Sequence, residues 1–239
     1  MNRFEGQPAY ILHARPYRET SLLIDAFTRE HGRVGLVARG VRRERGRLPR
    51  GVLQPLQPLL IGWVSRGELG TLTGAESASA PIALSGDGLL AAMYVNELVL
   101  RISERNDAHA EAFAAYALCL SRLAEGRDMG WSLRRFERDL LADLGYALAL
   151  TYTASGDAIE PDRIYGYDPG AGAGPWNERS AFPRVEGAAL LALDRDERPS
   201  DAHLLELRRM IRAIVRHLIG GDLNTWALSS RRLSFDERR

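Results

Sequence analysis

Eight of the 22 residues from Arg29 to Arg50 are arginine, against two acids, Glu30 and Glu44, and no other segment is so one-sided. Guanidinium forks match phosphate oxygens bidentately and also stack on bases, so such a cluster suits a polyanion. Like charges packed this densely repel one another, which marks an interaction segment or a nucleic-acid patch more readily than an idle solvated loop. Within the cluster the candidate phosphate contacts are Arg33, Arg39, Arg42, Arg43, Arg45 and Arg47, and Arg15 and Arg18 precede it. The clustering carries this reading. Cation identity does not, because all 32 basic residues are arginine and a chain rich in Ala, Gly and Arg reflects coding bias.

Residues that commonly perform catalysis are not arranged for it. The five histidines, His13, His31, His109, His203 and His217, make no metal pair of the HExxH kind, and Cys119 has no histidine nearby in sequence. Neither a nucleophile elbow nor a P-loop is present. Glu160, Asp162 and Asp168 lie in an irregular stretch where ordinary solvation accounts for them better than a magnesium ion does. The glycine-rich run Asp168–Pro175 has no strand before it and a proline in place of a helix after it, so it reads as a surface loop and not a phosphate cradle. The expectation is a binding protein with no catalytic residues, no cofactor and no metal.

At 239 residues, with 45% hydrophobic and 26% charged residues, the chain is an ordinary globular protein able to bury a core. Its formal net charge of +1 hides an asymmetry: residues 1–50 carry 11 arginines and 5 acids, while the remainder is net acidic. The polyanion signal is therefore local. A single cysteine excludes an internal disulfide and a multi-cysteine zinc site and fits a reducing compartment. With no apolar leader at the N-terminus and no unbroken apolar stretch of membrane length, the expected setting is the cytoplasm.

Around the arginines the pattern is that of strands. Ala9–Ala14, Ser21–Phe27, Arg33–Arg39, Val52–Val64 and Glu68–Thr73 alternate or run apolar between turns at Glu30–Gly32 and Ser65–Gly67, with Pro55 and Pro58 confined to the early part of the fourth. Five short strands in so small a segment close most economically as a barrel of the oligonucleotide/oligosaccharide-binding (OB) type, which binds strands across one face. Arg15, Arg18, Arg33 and Arg39 would track a backbone there. Tyr10, Tyr17, Phe27 and Trp63 are the aromatics available for stacking; core filling is the ordinary role of each, and only Tyr17, beside a proline in a connection, suits either.

From Asp87 the period becomes helical. Helices are predicted from Asp87 to Glu104, after an Asn106–Asp107 cap to Gly126, from Ser132 to Gly145 with Arg134, Arg135 and Arg138 outward, and from Ser200 to Gly220 with Arg208, Arg212 and Arg216 on a solvated face. Residues 146–184 are the least regular part. The expected class is α+β: a five-stranded OB barrel at 1–80, then a helical domain at 81–239 with an irregular insertion at about 146–184.

Several segments in this order resemble the bacterial recombination mediator family RecO. They are Leu12-His-Ala-Arg-Pro-Tyr-Arg-Glu-Thr-Ser-Leu-Leu-Ile-Asp-Ala-Phe-Thr-Arg-Glu-His-Gly-Arg33, Val37-Ala-Arg-Gly-Val41, Leu53-Gln-Pro55, Tyr94-Val-Asn-Glu-Leu98, Leu133-Arg-Arg-Phe-Glu137, Leu144-Gly-Tyr146, Leu218-Ile-Gly220 and Ser230-Arg-Arg-Leu233. No one of them is diagnostic, but their order and spacing over nearly the whole chain are specific. The resemblance implies an OB barrel joined to a helical domain with a zinc-finger-like insertion. It implies binding of single- and double-stranded DNA, annealing of complementary strands, and work with RecR to help load RecA on strands coated by single-stranded-DNA-binding protein (SSB), in the cytoplasm near the nucleoid. Many members hold zinc with four cysteines after the Leu-Gly-Tyr motif; here Tyr152 and Ser155 stand near the first pair's positions, so metal binding does not carry over.

The tail of SSB is, in that family, an acidic peptide with a hydrophobic end, and its receptor needs an apolar pocket rimmed by a cation. Arg134 is the expected rim, with Phe136, Leu140, Tyr116 and Leu120 as walls, core filling being the alternative for each. Two other readings compete with the whole: an RNA-binding OB protein, and a protein–protein adaptor in which the arginine loop is incidental.

Overall fold

The computed structural model describes residues 2–41, 51–65 and 67–228. The chain divides into two compact units, Met1–Glu125 and Gly126–Arg239. In the first, β1 (Asn2–Tyr17), β2 (Ser21–Thr28), β3 (Gly32–Ala38), β4 (Leu59–Ser65) and β5 (Leu69–Ser77) form a closed barrel in the order β1-β2-β3-β5-β4. Among the described strands of the barrel, β3 and β5 alone pair in parallel. This is the expected OB barrel, in an α+β chain.

Alternation builds its interior. Leu22, Ile24 and Ala26 of β2, Val34, Leu36 and Ala38 of β3, and Leu59, Ile61 and Trp63 of β4 all point into one cluster with Ala9, Ile11 and Leu72. β1 serves two neighbours because its register shifts between Phe4 and Gln7 and again between Ile11 and His13, and such irregularities bend a strand around a barrel. The fourth strand starts later than the sequence suggests, at Leu59, since Pro55 and Pro58 cannot donate to a ladder.

Two helices complete the unit, α1 (Gly86–Ile102) and α2 (Ala110–Ala124). Phe113 and Tyr116 of α2 pack on Tyr10 and Phe27 of the barrel wall, with ring centroids 4.9 to 6.0 Å apart. Tyr116 donates its hydroxyl to Asn96 Oδ1 at 2.9 Å, and the Asn96 amide donates to the Leu12 carbonyl, which ties α2 to α1 and α1 to β1. Burial pushes the Tyr116 hydroxyl well above the ordinary tyrosine pKa. Strand content ends near residue 80, whereas the compact unit extends to Glu125 because these aromatics bring α2 onto the barrel. The expected cap at Asn106–Asp107 is corrected: α2 begins at Ala110 with His109 as N-cap, and Asn106 instead donates its amide to Arg33 O at 2.9 Å.

The second unit holds α3 (Met129–Asp143), α4 (Gly187–Asp194) and α5 (Asp201–Ile219). α3 starts before Ser132 because Asp128 caps it, accepting from the Trp131 amide at 3.0 Å. That bond first, and then the Arg198 guanidinium, hold the Asp128 carboxyl below its ordinary pKa against the opposing pull of burial. Ser200 caps α5 and Gly220, at φ +66°, ends it, as the sequence suggests. The stretch expected to be irregular contains a sheet, β6 (Ile164–Asp168), β7 (Gly172–Pro175) and β8 (Arg184–Glu186), in the order β7-β6-β8. Asp168–Pro175 is therefore a hairpin: Tyr165, Tyr167 and Ala173 are buried, and the glycines make the turn and its narrow strand. Nor is the α5 arginine stripe purely solvated, since Arg212 and Arg216 lie 4.8 and 5.6 Å from the centroid of the Trp226 ring. Among the described residues no helix is long and apolar enough to cross a membrane.

Candidate nucleic-acid interface

Strand register decides which arginines face outward. Leu22, Ile24, Leu36 and Ala38 fill the barrel, so the alternate positions lie on its outer surface. Arg15 pairs with Leu23, and Leu23 with Val37, which places all three in one outward row. Tyr17 stands two residues past Arg15 on that face, opposite Ser21, and Arg39 follows Val37 beyond the end of β3. Arg15, Arg18 and Arg39 are exposed.

The other end of the same face is covered. Phe27 lies against Phe113 and Tyr116, and the connection between α1 and α2 docks beside it. Arg33 donates from Nε and Nη2 to the Ser103 carbonyl at 3.2 and 2.9 Å and approaches Asp25 at 3.5 Å, while Arg105 also pairs with Asp25. Burial, and then the neighbouring Arg105 charge, lower the Arg33 pKa against the pull of Asp25. Arg33 is thus corrected as a phosphate contact: a guanidinium already bonded to a carbonyl and facing a carboxylate is occupied by the fold. Trp63, Tyr10 and Phe27 are likewise buried and unavailable for stacking, Trp63 lying against Phe4 at 4.6 Å.

At the open end is a cavity of about 550 Å³ lined by Tyr17, Arg18, Thr20, Ser21, Val37, Arg39 and Gly40. The Arg18 guanidinium sits 5.3 Å from the Tyr17 ring centroid. Among the described lining residues the charged groups are Arg18 and Arg39, both cationic. Arg42, Arg43, Arg45 and Arg47 lie outside the described residues; Arg39, Gly40 and Val41 lead directly into them.

The expected pocket for an acidic tail is corrected. Tyr116 and Leu120 of the first unit are fully buried, as are Phe136 and Leu140 of the second. Arg134 is 5% exposed and donates to both carboxylate oxygens of Glu137, from Nε at 2.6 Å to Oε2 and from Nη2 to Oε1. The reason is local. Trp131, Arg134, Glu137 and Leu141 recur at three- and four-residue steps along the buried side of α3, and a cation three residues before an acid can enter the interior already neutralised.

The resemblance places the first ligand pair of a zinc site near Tyr152 and Ser155, where residues 151–159 form a tight hairpin. Thr153 N donates to Asp157 O at 2.8 Å and Ile159 N to Thr151 O at 2.9 Å. Thr153 and Ser155 share a hydroxyl bond at 2.9 Å, and Ser155 donates to Asp157 at 2.7 Å. Two hydroxyls and one carboxylate do not fit zinc, which takes thiolate and imidazole in structural sites. Elemental analysis of the purified protein is expected to find no stoichiometric zinc, and a chelator is expected to leave the melting temperature unchanged; a metal-dependent shift would contradict this reading.

Sequence reasoning missed the partnership of Asp25, Ser103 and Arg105 with Arg33, and the roles of Thr20, Ser21, Val37 and Gly40 around Tyr17. One signal was present. Gly32 and Gly35 on an arginine-bearing strand mark a close approach, and a Cβ at either would meet the connection between α1 and α2.

Comparison with known proteins agrees in extent and order. The family described as Recombination protein O N terminal matches residues 1–81, and that described as Recombination protein O C terminal matches residues 84–227. Relatives named DNA repair protein RecO include those of Burkholderia lata, 42% identical over 98% of this chain and 83% of the relative, and of Xanthomonas oryzae pv. oryzae, 43% identical over 94% of this chain and 95% of the relative. That of Ralstonia nicotianae is 42% identical over 94% of this chain and 83% of its own length.

Proposed function

The chain belongs to the RecO family, and from that premise we propose that it serves DNA repair and recombination as a DNA-binding protein that acts by binding, not by catalysis. The observation that supports this most is the divided barrel face. Arg33 is committed to the fold, while Arg15, Arg18 and Arg39 remain exposed at the end that leads into Arg42, Arg43, Arg45 and Arg47. Such a face meets phosphates without reading bases. It also favours annealing, because cations that neutralise phosphates reduce the repulsion between two strands brought together. In this reading the protein binds single and double strands, anneals complementary ones, and with RecR helps load RecA on strands coated by SSB. Its receptor for the acidic tail of SSB is not the buried set around Arg134.

A salt titration tests the binding step. With about five phosphates neutralised, log affinity for a single strand should fall against log salt with a slope of roughly −3 to −4. Arg18→Glu with Arg39→Glu should make that slope shallower and weaken binding about tenfold or more, with the fold retained because both side chains are exposed. A flat salt response would remove the proposal. Affinity for RNA of equal length, tested in parallel, should not exceed that for DNA.

A further inference from the structure

The cavity at the open end of the barrel face has more than a phosphate needs. Two guanidiniums, Arg18 and Arg39, stand at it, but so do a half-buried aromatic ring, Tyr17, an apolar wall, Val37, and the hydroxyl residues Thr20 and Ser21. Its volume of about 550 Å³ falls in the range of roughly 300–1,000 Å³ usual for small-molecule sites. A mixture of flat apolar surface, hydroxyls and cations in one concavity is complementary to a base joined to a phosphate.

The backbone supports the same assignment. Tyr17 pairs with Ser21, so the hairpin between β1 and β2 closes through Arg18, Glu19 and Thr20, and Arg18 takes φ +54°. A non-glycine residue held in the left-handed region is strained, and such strain recurs where a side chain must be aimed for function. Here that backbone accompanies a guanidinium held 5.3 Å from the Tyr17 ring centroid. Gly40, at φ +70°, turns the chain at the opposite wall immediately after Arg39.

We propose that this cavity is a socket for one unpaired nucleotide of a bound strand, with the base against Tyr17 and Val37 and its phosphate between Arg18 and Arg39; this rests on the DNA-binding reading above. The socket takes a base only when it is unstacked and unpaired. It therefore adds affinity for single strands and none for duplex, which gives a protein that binds both a reason to hold one strand until its complement arrives.

The experiment uses the full chain, an oligothymidylate, an abasic strand of equal length and a blunt duplex. Tyr17→Ala is expected to weaken oligothymidylate binding roughly 5- to 150-fold, the range for losing one stacked base, and to leave the abasic strand and the duplex unchanged. Tyr17→Phe, which keeps the ring, is expected to bind as the parent does. In the unaltered protein, a strand carrying a single 5-iododeoxyuridine is expected to photocross-link to Tyr17. If Tyr17→Ala weakens all three ligands equally or none, or if the cross-link is absent or maps elsewhere, the socket is wrong while DNA binding stands. If the unaltered protein binds none of the three, the DNA-binding reading falls and the socket with it.

Discussion

Arg134→Glu is expected to unfold the second unit and not to remove a surface contact. The substitution sets a second carboxylate beside Glu137, whose side chain is completely buried, and withdraws the guanidinium that bonds both its oxygens. Removing one partner of a buried pair costs about 3 to 5 kcal/mol, and adding a like charge costs more. Against a total stability of about 5 to 15 kcal/mol for a typical protein, little remains. Arg134→Ala should lose about 3 to 5 kcal/mol in a urea titration. The double variant Arg134→Met with Glu137→Leu should be more stable than either single substitution, because it removes the desolvated charges together. If Arg134→Glu melts with the parent, the buried pair is not a determinant of the fold. A loss of peptide binding in Arg134→Glu would accordingly report unfolding.

Gly32→Ala should damage the first unit nearly as much, for two separable reasons. Gly32 has φ +60°, which costs a residue bearing a Cβ about 1 to 2 kcal/mol. In addition, a Cβ there would lie 1.6 Å from the Asp107 carbonyl oxygen, and that atom is backbone. The connection between α1 and α2 must then lift away. Lifting it endangers the Asn106 amide bond to Arg33 O and the two Arg33 bonds to Ser103 O, each worth about 1 kcal/mol or more. The expected loss is about 3 to 6 kcal/mol. Gly6→Ala is the control, since Gly6 has the same φ and a Cβ added to it would meet nothing within 4 Å, so it should lose only the backbone part. Equal losses in the two variants would mean that the docked connection contributes nothing.

Loss of the docked connection has a consequence for the interface. Freed from Ser103, Arg33 would join the exposed arginines, so a mildly destabilised Gly32→Ala that remains folded should bind DNA no more weakly than the parent.

Much of the barrel was legible in the chain because alternation is a local property. Ser21–Phe27 and Arg33–Ala38 show hydrophobic residues at every second position, and that period by itself places Leu22, Ile24, Val34 and Leu36 on one side of a strand. The caps at Ser200 and Gly220 were equally readable, since the hydroxyl acceptor and the left-handed residue act on their own backbone neighbours. The small sheet around β6 was not readable. Its strands are three to five residues long and one is half glycine, so no periodicity accumulates and only pairing with neighbouring strands defines it.

For the candidate site, the local excess of arginine and the outward side of each strand follow from residue order, because charge density and a period of two need no partner. What each arginine does is a different matter. Arg33 and Arg39 stand six residues apart on one strand and its exit, with the same chemistry, yet Arg33 is bound to a carbonyl 70 positions away in the chain and Arg39 faces solvent. Arg134 has the sequence setting of a surface cation, yet Glu137 neutralises it in the interior. Long-range packing made both decisions, since desolvation and the nearest counter-charge depend on which distant segment folds against a side chain and not on its neighbours in sequence.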